Sequence, residues 1–172
     1  MAEVNDREVE VFLTSGPLKG LITTRHERLS DHLANSDDTF LLKNAKLKFG
    51  SERGGEASST TTVIYKRSVI LIVDVGSAGQ RSAPLDAQLM RVEREPHRVL
   101  VGAGRLLVRG EIHLPKGANL ETIGWAQARF IPVTGATFAD RPDATPATFI
   151  INRDQISCLM IDPVEVSSTS RS

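Results

Sequence analysis

Leu18-Lys19-Gly20-Leu21-Ile22 and Val108-Arg109-Gly110-Glu111-Ile112 decide the reading of this chain, because one setting recurs after 110 − 20 = 90 residues. A second match has the same spacing. Phe40 lies in Thr39-Phe40-Leu41-Leu42 and Phe130 in Arg129-Phe130-Ile131-Pro132, with 130 − 40 = 90. Small residues follow in both, at Asn44-Ala45 and Gly135-Ala136. Further on, Val63-Ile64-Tyr65-Lys66-Arg67-Ser68-Val69-Ile70 matches Phe149-Ile150-Ile151-Asn152-Arg153-Asp154-Gln155-Ile156, with 153 − 67 = 86. The preceding loops, 50–59 and 140–146, are rich in Gly, Pro, Ser or Asp and absorb the difference. Four matches in one order indicate an internal duplication.

Each copy reads as five short strands. In the first they fall at 8–14, 18–24, 40–49, 60–66 and 69–75. Val9, Val11 and Leu13 alternate with Glu10 and Phe12, the two-residue period of a strand with one face inside. Ser15-Gly16-Pro17 supplies a tight turn, and Ala103-Gly104 does so in the second copy. Between strands two and three, Leu29-Ser30-Asp31-His32-Leu33 predicts a short helix with Ser30 as N-cap. Asn119 serves in the same way before Leu120 and Ile123. The fold class expected is therefore mainly β, as two tandem five-stranded barrel-like units, each with a short helix between strands two and three. The units span 1–75 and 97–163. A linker at 76–96 carries Leu85, Leu89, Met90 and Val92 on one helical face and is ended by Pro96. The polar tail, 164–172, is expected to be disordered.

Composition narrows the function classes. Hydrophobic residues make up 40% of the 172, enough for a packed core. Lys plus Arg and Asp plus Glu both total 21, whereas a chain that neutralises many phosphates carries a basic excess. Cys158 is the only cysteine, in an apolar run, so it reads as a small hydrophobe. The start Met1-Ala2-Glu3-Val4-Asn5-Asp6 is acidic and polar, unlike a secretory signal, and no apolar run has the length of a membrane span. A cytoplasmic protein with no membrane partner is expected.

The unit resembles an Sm-like small barrel, the fold of the bacterial RNA chaperone and the Sm proteins. Tyr65-Lys66-Arg67-Ser68-Val69 is similar to the bacterial tyrosine-lysine-histidine turn of that family. Ile151-Asn152-Arg153-Asp154-Gln155-Ile156 is similar to the eukaryotic arginine-glycine turn, with Ser68 and Asp154 where the family has glycine. The resemblance implies closed five-stranded barrels and RNA contact by the basic turns. The stretch Arg28-Leu29-Ser30-Asp31-His32-Leu33-Ala34-Asn35 is also similar to one in uncharacterised bacterial domains, which implies no activity.

His26, Glu27, Asp31 and His32 form the densest polar cluster, but the two histidines are six apart rather than the four that places a pair on one helix face. Ser30-Asp31-His32 holds the residue types of a triad, yet consecutive helical residues diverge, and capping accounts for the first two. Gly102-Ala103-Gly104 precedes a strand, and 50–55 lacks the ending of a phosphate loop, so both read as turns. No catalytic centre, metal or cofactor is expected. Lys66, Arg67, Asn152 and Arg153 stand in equivalent turns and are candidates for contact with a partner or with RNA. Trp125 is either core or an exposed anchor. With Tyr65 as the only tyrosine and Trp125 as the only tryptophan, stacking platforms for bases are scarce. The expected function is that of a non-enzymatic assembly or adaptor protein, a scaffold working through protein contacts or self-association. The alternative is RNA binding through the basic turns.

Overall fold

The computed structural model describes residues 4–25, 28–35, 37–49, 54–77, 93–118 and 128–163. In chain order the elements are β1 (Asn5–Leu13), β2 (Gly16–Thr24), α1 (Leu29–Leu33), β3 (Thr39–Phe49), β4 (Gly55–Tyr65) and β5 (Val69–Asp74). There follow β6 (Arg94–Ala103), β7 (Leu106–Pro115), β8 (Phe130–Phe138), β9 (Ala147–Asn152) and β10 (Ile156–Ile161). One-turn 3-10 helices at Lys66–Ser68 and Arg153–Gln155 join β4 to β5 and β9 to β10.

All ten strands form one sheet, in the order β10-β6-β7-β8-β9-β5-β1-β2-β3-β4. This corrects the expectation of two tandem barrel-like units. The outer edge of β5 is taken up by β9 of the other half, with Leu71 opposite Ile151, Ile72 opposite Ile150 and Val73 opposite Phe149. Ladder hydrogen bonds that would close a barrel instead run between the halves, so the sheet is continuous and open, ending at β10 and β4. It is not a closed Sm-like barrel, and the halves are not separate units strung in tandem. Among the described residues α1 is the one α-helix. The second expected helix, at 119–123, and the linker helix at 85–92 lie outside the described residues, as do Trp125 and the tail. Arg94 already begins β6, and Pro96 sits inside that strand opposite His113. The ladder to β10 reaches only as far as Val99, so the proline's missing N–H costs no sheet hydrogen bond.

Both halves keep one strand order, and their true register can be read from the ladders. Val9 faces Gly20 and Val99 faces Gly110, so β1–β2 and β6–β7 correspond at 90 residues. Lys19 faces Lys46 but Arg109 faces Thr137, and 137 − 46 = 91. Asn44 and Gly135, both left-handed at φ 49° and 56°, obey the same shift of 91. The counterpart of Phe130 is thus Thr39, not Phe40. A slip of one residue reverses the face. Phe40 lies in the core of its own half, whereas Phe130 crosses into that same core from the other half.

Two cores lie on opposite faces of the central pair β5–β9. Val9, Val11, Ile22, Leu42, Ile64 and Ile72 form the first, with Leu29 and Leu33 of α1, Phe130 and Ile150. Leu71, Val101, Val108, Val133, Phe149 and Ile151 form the second. Neighbours in sequence, Leu71 and Ile72 or Ile150 and Ile151, therefore face different cores, as the strand pleat requires. Ile70 is the bulged residue between Val69 and Leu71 and turns into the second core.

Candidate functional site

The two 3-10 turns lie side by side because β5 and β9 are paired. They correspond at 153 − 66 = 87, so Lys66 is the counterpart of Arg153 and Tyr65 that of Asn152. The sequence alignment of Arg67 with Arg153 is corrected by one residue.

The structure brings Lys66, Arg67, Asn152 and Arg153 together, but gives them different work. Lys66 is 1% exposed. Its Nζ donates to the carbonyl oxygens of Leu33 at 3.0 Å and Asn35 at 3.1 Å, and also to Asn35 Oδ1. These groups end α1, where carbonyls lack helical donors and a positive charge meets the negative end of the dipole. Burial pushes the Lys66 pKa below the ordinary lysine value and Arg129 acts the same way, against the pull of Asp37 and Asp38. Asn152 is wholly buried. Its Nδ2 donates to Lys66 O at 3.1 Å and Val69 O at 2.8 Å, while Oδ1 accepts the Asp154 N–H at 3.1 Å. Gln155 Nε2 adds a bond to Arg67 O at 3.2 Å. Lys66 and Asn152 thus clamp α1 and the opposite turn in place.

Arg67 is exposed and lies over the Tyr65 ring, 5.5 Å from its centre. Arg153 is one-third exposed and lies 3.6 Å from Asp154. Arg129, missed in the sequence, stands between Asp38 at 3.8 Å and Asp154 at 3.7 Å. Two acidic side chains, Asp38 and Asp154, lie beside Arg129 and Arg153 and temper the positive field there.

The expected N-cap of α1 is also corrected. Arg28 occupies that position, no side-chain capping bond is made, and Ser30 lies within the helix. Of the polar cluster, His26 and Glu27 lie outside the described residues. Among the described residues no group of three or more His, Cys, Asp or Glu converges as metal ligands. No helix among them is long and apolar enough to cross a membrane.

A second feature, not singled out in the sequence, lies at the sheet's ends. Leu41, Val63 and Tyr65 are 57%, 52% and 54% exposed. Leu41 faces Val63 and Thr39 faces Tyr65, so the three side chains share the outer face of β3–β4. From Ser58 to Tyr65 the edge strand β4 holds no charge and no proline, the two usual guards of an open edge. At the other end, β10 exposes Cys158 and Met160, while Leu159 and Ile161 lie half-covered at the border of the second core. Comparison with protein-family models, curated proteins and solved structures finds no match to the chain.

Proposed function

We propose that this chain is a cytoplasmic, non-enzymatic assembly or adaptor protein that engages protein partners by strand pairing at its open sheet edges. The observation that carries the reading is the β4 edge, unguarded by charge or proline from Ser58 to Tyr65 and backed by the exposed Leu41, Val63 and Tyr65. An added strand satisfies the outward N–H and C=O groups of such an edge, and the apolar side chains beside it supply the buried area.

RNA binding at the turns is the reading that the test must separate. The chain is recovered from its native lysate and the mass of its complex is measured, alongside Val63→Lys and the pair Arg67→Ala/Arg153→Ala. Lys66 is left intact because it is buried and holds α1. Val63→Lys should release the partner, and the arginine pair should keep it. Co-purifying RNA, lost in the arginine pair and weakened steeply by salt, would overturn the proposal.

A further inference from the structure

We infer that the occupant of the β4 edge is the β10 edge of a second copy of this chain, paired antiparallel in the register that joins β5 to β9. The inference rests on the edge-pairing reading and names its partner. The molecule already contains one such junction, in which a fifth strand lies against a fourth strand of the other half. The strands left at the two ends are the remaining fourth, β4, and the remaining fifth, β10. Carrying the shift of 87 through the internal pairs gives the outer ones. Cys158 faces Ile64, Leu159 faces Val63, and Met160 faces Thr62 of the neighbouring copy.

Side chains at these positions match what the junction needs. In β9, Ile150 is 1% exposed because it enters the core beneath β5, whereas its counterpart Val63 is 52% exposed. Leu71 and Ile72 of β5 are fully buried, whereas their counterparts Cys158 and Leu159 are exposed and half-exposed. Each free edge thus shows the apolar surface that the other covers in the internal junction. One difference sets the outer contact apart. Tyr65 stands where Asn152 bridges the two turns, so the outer junction has no amide clamp and is the weaker of the two. Because the two surfaces are different, the contact is head-to-tail.

The test is the solution mass of the full chain over roughly a hundredfold range of concentration, since association follows mass action. The wild type should reach multiples of 18.7 kDa. Val63→Lys and Met160→Lys, each at one edge, should both return it to that single-chain mass with unchanged circular dichroism. Thr62→Cys/Met160→Cys in a Cys158→Ser background, treated with a disulfide oxidant such as oxidised glutathione, should form disulfide-linked multimers, which fixes the register. A wild type that stays a single chain throughout overturns the inference. A different protein released by Val63→Lys would then leave the edge-pairing reading standing. Multimers that ignore both lysine variants, or assemble without cross-linking, overturn it as well.

Discussion

Asn152 shows how one side chain decides whether two turns behave as one. Its amide, itself wholly buried, is the donor for two carbonyls, Lys66 O and Val69 O. Asn152→Ala should destabilise the fold by about 2–3 kcal/mol, the usual cost of stranding buried acceptors. An unchanged denaturation midpoint would remove Asn152 from that role. Asp162 works just beyond the far end of β10. His97 Nδ1 lies 3.2 Å from its carboxylate, and the Arg98 N–H donates to it at 3.2 Å. These bonds hold its pKa below the ordinary 3.8. The folded value is the lower one, so the contribution is complete above pH 3.8 and disappears as pH falls through the depressed value. Asp162→Asn should therefore flatten the acid limb of stability against pH, and parallel curves for variant and wild type would refute this. None of these roles was legible beforehand. A lysine or asparagine in a turn reads as solvated, since such residues are seldom buried.

At the scale of elements, most of the strands were legible and their correspondence was legible to within one residue. The alternation in 8–14 and the turn at Ser15-Gly16-Pro17 lead to the observed β1–β2 hairpin. The slip came from aligning Phe40 with Phe130, two large residues that face the same core from different strand positions. Asn44 and Gly135 held the better signal, because both residue types tolerate the left-handed conformation found there. The glycines of β2 and β7 are required by close approach. A Cβ on Gly110 would lie 2.6 Å from Val133 Cγ1 and 2.9 Å from the Thr134 carbonyl oxygen. Gly20 meets Leu42 and the Lys43 carbonyl in the same way, and both sit at ladder shifts. Gly110→Ala should cost about 1–3 kcal/mol, since a backbone oxygen cannot step aside. A thermal melt equal to wild type would show that the strands separate freely there.

For the whole molecule, the joining of the halves into one sheet was the feature missed. Its trace was present in the run Phe149-Ile150-Ile151, which is apolar on both faces, beside the Ser- and Thr-rich β4. An uninterrupted apolar run marks a strand covered on both sides. Read that way, β9 belongs at the centre of a sheet and β4 at its rim, which is where they lie. The resemblance to a small closed barrel hid this, because it assigned each half its own closure. The candidate turns were found in the sequence, but the exposed face of Leu41, Val63 and Tyr65 was not, since alternation alone does not say which strand lacks a neighbour.

Amide hydrogen exchange on the wild-type complex and on Val63→Lys tests the edge most directly. Amides of β5 and β9 should exchange slowly in both, because that junction is internal. Outward amides of β4 should be slow in the complex and fast in the variant. Equal, fast exchange of β4 in both samples, with the complex intact, would contradict strand pairing at that edge.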